Sequence, residues 1–268
     1  LTGISGVDET HVFISSGENV RLPCNNALHD CTSTTWIYNR FRDSAAVELI
    51  GVGIKNKDTE RHERLSLGSD CSLNIRNTST EDYGYYICQQ WTGVNRDKHQ
   101  GPDVRVYLHV LHVSSSHTEI SAGLSVTLFC QLYSYPQVSC DDSVGSEGIQ
   151  LFWVNQTGCV KLTRSDSRYQ ISFSSDHCII TLTTTLLNED DNREWRCEVT
   201  QRVQAKTSVT YTRQSEMTTG SSTEILIILK TAAFAAPTVI LLQIICARRA
   251  ERKDSQHPEE IEINTIIE

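Results

Sequence analysis

The chain has 268 residues, a formal net charge of −9 and a pI near 5.5. That acidic balance, with no Lys/Arg-rich patch to break it, argues against a nucleic-acid partner, and the length ahead of its one long apolar run suits two domains of ~100–150 residues. Ten cysteines, nine of them before that run, fit the oxidising secretory route in which disulfides persist.

From Val12 to Val110 short alternating segments are broken by turn residues, which is a β pattern. Val20, Leu22 and Cys24 share one face of a strand, and Trp36 follows 12 residues after the cysteine. Leu73 and Ile75 share the face of another strand, and DYGYYIC then runs from Asp82 to Cys88. Val104, Val106, Leu108 and Val110 alternate in a last strand. Cys24 and Cys88 are 64 residues apart with Trp36 between them, the pattern of a sandwich whose inter-sheet disulfide packs on a buried Trp. Tyr86, two residues before the second cysteine, stands where a tyrosine corner belongs.

On these residues the segment 8–111 resembles a V-type domain of the immunoglobulin superfamily. The D-x-G-x-Y-x-C motif is present as Asp82, Gly84, Tyr86 and Cys88, and Arg64 matches the Arg that pairs with that Asp in such domains. The F-G-x-G motif of rearranging antigen receptors is absent, since the region reads QGPDVRVYLHV.

A second unit repeats the first. Gly17 and Gly123 each lie a strand's length before a cysteine, in SGENVRLPC and AGLSVTLFC, and Trp153 matches Trp36. Asp191, Trp195 and Cys197 match Asp82, Tyr86 and Cys88, with Arg168 as the expected partner of Asp191. Trp195 replaces the corner tyrosine, and an indole can only donate a hydrogen bond. Trp153 and Cys197 are 44 residues apart against 52 for Trp36 and Cys88, which predicts lost middle strands and a C2-like sandwich. The expected core thus centres on Trp36, Tyr86, Trp153 and Trp195, with His112–His117 as a short linker. The fold class is all-β: two tandem immunoglobulin-like β-sandwiches, 1–111 V-like and 112–212 C2-like, plus one transmembrane α-helix.

The resemblance and the repeat together imply four disulfides. These are Cys24–Cys88 and Cys130–Cys197 between sheets, and Cys31–Cys71 and Cys140–Cys178 between the loop after the second strand and the start of the fifth. Cys159 is left over, as a free thiol or an intermolecular bridge. No C-x-x-C occurs, and neither a metal site nor a cofactor is expected.

After a stalk at 213–224 comes ILIILKTAAFAAPTVILLQIIC, 225–246. At ~1.5 Å per residue it is long enough for the roughly 30 Å hydrocarbon layer. Arg248, Arg249, Arg252 and Lys253 follow it, so the tail at 247–268 is expected to be cytoplasmic and the N-terminal side extracellular. That type I orientation at the plasma membrane implies a signal peptide removed before Leu1. Lys230 has two open readings: it snorkels to the outer headgroups, or it pairs with an acidic residue in the membrane helix of a signalling adaptor. Ala232 and Ala236 form a small-xxx-small face for such a partner. Cys246 at the inner boundary is either palmitoylated or apolar filler. The segment 247–268 holds no Tyr, hence no phosphotyrosine motif, which directs any signal through a partner.

Asn77-Thr78-Ser79 and Asn155-Gln156-Thr157 are glycosylation acceptors. No H-E-x-x-H, G-x-S-x-G, P-loop or G-x-G-x-x-G occurs, and no catalytic residue is assigned. Recognition is expected at three loops at one end of the first unit, 25–34, 51–56 and 89–100, with Trp91, Asn95 and Arg96 as contact residues, unless Trp91 packs on the sandwich. The two-unit architecture and the extra cysteine pairs are similar to two-domain immune-type receptors of bony fish. The implied function is a cell-surface recognition receptor binding a protein ligand and signalling through an adaptor at Lys230; the alternative is an adhesion or decoy protein with a passive anchor.

Overall fold

The computed structural model describes residues 9–212 except 29, 41–43, 118–121, 136–139, 142–147, 155–160, 165–166, 191–192 and 203. Lys230, Cys246, Cys159, Asn155 and Asp191 therefore lie outside the described residues, as do the stalk, the apolar segment and the tail. Among the described residues no helix is long and apolar enough to cross a membrane.

The first unit contains β1 (Glu9–Ser15), β2 (Val20–Leu22), β3 (Thr34–Asn39), β4 (Val47–Gly51), β5 (Ile54–Lys55), β6 (Leu65–Leu67), β7 (Leu73–Ile75), β8 (Gly84–Thr92) and β9 (Lys98–His99). Strand β10 (Val104–Ser115) runs from it into the second unit. There follow β11 (Ser125–Tyr133), β12 (Cys140–Asp141), β13 (Ile149–Val154), β14 (Gln170–Ser174), β15 (Ile179–Thr185), β16 (Glu194–Gln201) and β17 (Gln204–Thr212).

In the first unit a small sheet β2-β7-β6 faces a larger one ordered β10-β8-β3-β4-β5, with β1 parallel on β10 and β9 on β8. Alternation places the core. Along β8, Gly84, Tyr86, Cys88 and Gln90 are buried, while Tyr85, Ile87, Gln89 and Trp91 are half-buried on the outer face. The inner residues meet Trp36, Leu22, Leu49, Leu73 and Leu108, each essentially inaccessible. Cys24 is bonded to Cys88 across this core, and Trp36 Nε1 donates to Cys71 O at 2.9 Å. Tyr86 Oη donates to Asp82 O at 2.7 Å, closing the corner.

That corner also holds a buried charge. Asp82 is inaccessible to solvent and accepts two bonds from Arg64, at 2.7 and 2.8 Å, and one from Ser79 N–H at 2.8 Å. Arg61 stands 3.4 Å away. Burial pushes the carboxyl up, but the Arg64 bonds, the Ser79 N–H and the two guanidinium charges outweigh it and hold the group below its usual 3.8. Gly84 has φ +144°, and a Cβ there would sit 2.7 Å from Asn39 O, so only glycine lets β3 and β8 approach.

The second unit repeats the plan with one sheet β12-β13-β16-β17 and another formed by β14, β15, β11 and the end of β10. Cys130 bonds Cys197, and Cys140 bonds Cys178. Cys71 and Cys178 both have positive φ, 62° and 50°, at the same place before β7 and β15. Arg168 meets the buried carboxylate of Asp190, and Arg193 bonds it too, at 2.6 Å; the expected partner, Asp191, lies outside the described residues. Asp82 lies six residues before its cysteine and Asp190 seven, so counting back from Cys197 does not single out Asp190. Trp195 is buried, and its Nε1 has no hydrogen-bond partner among the described residues.

The expected linker is a strand. β10 pairs β8 through Val104–Leu108 and β11 through Val110–Ser115, so His112–Ser115 continue the ladder instead of hinging. The units also interlock through side chains. Phe13 packs on the second core and Tyr133 on the first, while Ser15 Oγ bonds Thr207 Oγ1 and Ser208 O, both at 2.8 Å. His109 is fully buried here, 2.9 Å from His11 Nδ1 and stacked on Phe13 at 4.5 Å. Burial and, secondarily, the adjacent His11 hold its pKa down to about 3, so it is neutral at physiological pH.

Candidate recognition surface

Three chain segments meet at the end of the first unit away from β11. The short 3-10 turn Cys31–Ser33, which leads into β3, is tied to the start of β7 by the Cys31–Cys71 bond. The turn between β4 and β5 lies against it. Gly53 has φ +82°, and a Cβ there would sit 2.7 Å from Cys31 O, so a side chain would force the turns apart. Gly53 N–H donates to Thr34 O at 2.8 Å, and Val52 N–H to Thr35 Oγ1 at 3.0 Å. The β8–β9 hairpin leans on the same turn, because Arg96 Nη2 donates to Thr32 Oγ1 at 2.8 Å.

A buried amide fixes the loop behind these tips. Gln90 Oε1 accepts from Thr34 Oγ1 at 3.2 Å and from Leu28 N–H at 3.4 Å, while its Nε2 points at the sulfurs of Cys24 and Cys88. Asn26 Nδ2 also reaches Pro102 O, at 2.7 Å. The loops are thereby preorganised, which lowers the entropy lost on binding.

Trp91 stands in β8 and not in a loop, half-buried, with its ring edge-on to His99 at 5.2 Å. His99 in turn meets Asp103 at 2.8 Å. Asn95 is exposed and Arg96 half-buried beyond it; Arg96 Nη1 has no hydrogen-bond partner among the described residues. The structure thus brings Arg96 against Thr32 and leaves Trp91 further down the hairpin. Val94 was missed by sequence reasoning. It is 102 % exposed at the hairpin tip, and Ile54 is 72 % exposed beside Gly53. The signal was available: Val94 is the one apolar residue in the turn cluster GVNRD, where it belongs to no strand pattern.

The outer sheet face continues the surface. Ile37 pairs with Ile87 and Tyr85 with Tyr107, and Glu9 lies 3.8 Å from Arg105. Burial raises the Tyr107 hydroxyl pKa, as does the nearby Glu9, so the phenol stays a donor. Among the described residues no group of three or more His, Cys, Asp or Glu is placed to hold a metal ion.

Residues 7–109 match the family model described as immunoglobulin V-set domain. Among solved structures, the crystal structure of murine CEACAM1b is similar at 20 % sequence identity with a TM-score of 0.30, covering 73 % of this chain and 92 % of that one. No curated protein sequence matches the chain. With its V-type strand order, buried Arg64–Asp82 pair and tyrosine corner, the first unit is an immunoglobulin V-set domain.

Proposed function

We propose that the chain is a cell-surface recognition receptor of the immune type, which binds a protein ligand through the tips gathered at Cys31–Ser33. The carrying observation is that exposed Val94 and Ile54 stand on neighbouring turns joined through the Arg96–Thr32 and Gly53–Cys31 contacts, on loops fixed by a disulfide and by Gln90. Apolar and Arg anchors on a rigid frame suit protein recognition. The V-set is a family of binding modules and not of enzymes. The second unit is read as a C2-like immunoglobulin sandwich at 112–212, the segment 225–246 as the membrane helix of a type I plasma-membrane protein, and Lys230 as the contact for an adaptor carrying an intramembrane acid.

The alternative is an adhesion or decoy role, favoured by the place of Lys230 only five residues inside the apolar run, where its stem reaches the headgroups. One experiment separates the two. The tagged chain is expressed in cells with and without such adaptors, and co-precipitation and surface level are compared for the wild type and Lys230→Leu. Adaptor retained by the wild type alone supports the receptor; equal behaviour and unaided surface display refute adaptor pairing. In parallel, multivalent protein is tested on ligand-bearing cells. Val94→Asp and Arg96→Ala are expected to abolish staining without loss of folded protein, and unchanged staining refutes the tip surface for either role.

A further inference from the structure

Ser16 and Gly17 between β1 and β2, the turn Asn77–Thr80, and His112 of β10 enclose a cleft of about 450 Å3 beside the junction of the two units. Its walls are held by the backbone. Ser16 N–H donates to Leu111 O at 2.9 Å, Gly17 N–H to Thr78 O at 2.7 Å, and Thr78 N–H to Glu18 O at 2.8 Å. A cleft of this size amply holds one sugar ring, since pockets of ~300–1,000 Å3 take drug-sized ligands.

Its polar groups are incompletely used. Thr78 is only 1 % exposed, yet its Oγ1 has no hydrogen-bond partner among the described residues. His112 Nδ1 meets Ser16 Oγ at 2.8 Å, leaving Nε2 without a protein partner among those residues. On the rim stands Asn77, exposed, at φ +48°, with its own N–H held by Asn19 Oδ1 at 2.9 Å. Asn tolerates that left-handed conformation better than most residues. Asn77-Thr78-Ser79 is an N-x-Ser acceptor. The Ser79 hydroxyl is committed in the folded turn, accepting from Glu81 N–H at 3.2 Å and meeting Asp82 Oδ2 at 3.2 Å. Attachment therefore belongs before this turn folds.

We propose that Asn77 carries an N-linked glycan whose first N-acetylglucosamine lies in this cleft and braces the junction between the two units. The inference rests on the cell-surface reading, because attachment requires the secretory route. In the transfer, Asn77 Nδ2 forms a bond to C1 of the sugar as the C1–O bond to a lipid-diphosphate oligosaccharide donor breaks. The amide releases one proton, and the lipid diphosphate leaves with the electron pair. The sugar's hydroxyls and acetamide then meet His112 Nε2 and the Ser16–Gly17 rim, while its apolar face covers the Thr78–Thr80 turn. The lining joins Ser16, Gly17 and the Asn77–Thr80 turn of the first unit to His112, in the part of β10 that pairs with β11 of the second.

The full-length chain is produced in mammalian cells restricted to high-mannose glycans, and both acceptor sites are read by glycopeptide mass. An Asn155→Gln chain then leaves Asn77 as the sole acceptor. It is compared by amide hydrogen exchange as produced, after endoglycosidase trimming to one sugar, and as unglycosylated Asn77→Gln. The expected result is equal protection at Gly17, Thr78 and 110–113 in the first two forms and severalfold faster exchange in the third. Trimming after folding separates a bracing effect from a folding effect. Glycan at Asn77 with identical exchange in all three forms overturns the seat and leaves the surface reading intact. A bare Asn77 on a chain that reaches the surface overturns the proposal entirely. A chain that never enters the secretory route instead removes the reading beneath it.

Discussion

Replacing Arg64 with Ala isolates the buried charge beneath the tyrosine corner. Asp82 is inaccessible and draws two of its bonds from Arg64. Removing one partner of a buried pair costs roughly 3–5 kcal/mol, because the remaining charge is left uncompensated. Two features keep the cost near the lower limit: Ser79 N–H still donates at 2.8 Å, and Arg61 stands 3.4 Å away. The expected loss is therefore about 3 kcal/mol, and a unit of this size loses roughly 4–8 °C of Tm per kcal/mol. Arg61→Ala removes the weaker contact together with stacking over Tyr38 at 4.3 Å, and about 1 kcal/mol is expected. Arg64→Lys falls between, since an ammonium cannot fork onto both oxygens.

Thermal unfolding followed by near-ultraviolet dichroism at pH 7 reads these differences. The pH dependence is the sharper test. The folded Asp82 carboxyl lies below its unfolded 3.8, so its contribution is fully present above 3.8 and is lost as pH falls through the lowered value. Loss of Arg64 raises the Asp82 pKa in the folded variant, so the gap between wild type and Arg64→Ala is constant near pH 7, begins to narrow once pH falls to that raised value, and closes only below the lowered wild-type value. A smaller shift for Arg64→Ala than for Arg61→Ala, or a gap already closed at pH 5, would refute the reasoning.

Gly84→Ala is expected to cost well over the ~1 kcal/mol of an ordinary strained glycine site, because its Cβ would meet Asn39 O at 2.7 Å; a Tm within 2 °C of wild type counts against it. The Cys31→Ala/Cys71→Ala double change opens a bridge across 40 residues, which the chain-entropy relation puts at about 4 kcal/mol; denaturant unfolding under oxidising conditions measures it. His109 is depressed from 6.5 to about 3, so its neutral burial contributes fully above pH 6.5 and is progressively lost as pH falls towards 3. His109→Phe should flatten the stability profile between those limits, and an unchanged slope in a calorimetric pH series would show that His109 is already accessible to protons.

The corner was legible because each residue in it answers a local demand. Asp82 needs a buried cation, Gly84 a backbone contact, Tyr86 a carbonyl four residues back and Cys88 a partner across the core. Such demands repeat at fixed spacing, so a motif carries them. Asp190 escaped because Glu189, Asp190 and Asp191 are consecutive acids, and spacing from the cysteine does not say which one faces Arg168. The continuity of β10 escaped for a related reason. His112, Val113, Ser114 and Ser115 alternate in burial as a strand should, but alternation does not reveal that the strand exchanges β8 for β11 midway. On the recognition surface the eye goes to Trp91, the largest side chain. Gly93 at φ +97° and Arg96 at φ 52° instead turn the hairpin so that Val94 is presented.

The two ends of the V-set domain obey one rule: each loop is held by a group belonging to a neighbouring loop or strand. At the tip end, Arg96 reaches Thr32, Gly53 lies on Cys31, and Gln90 joins β8 to the segment before β3. At the junction end, Ser15 reaches β17, Phe13 enters the second core and β10 crosses without a break. A hinge needs residues that absorb changes in φ and ψ, and β10 instead carries paired backbone from Val104 to Ser115. A change of direction between the units would have to break that ladder and pull Ser15 from Thr207. The tips are therefore carried by one continuous β framework, and specificity rests on what Val94, Ile54 and Arg96 meet, not on loop rearrangement.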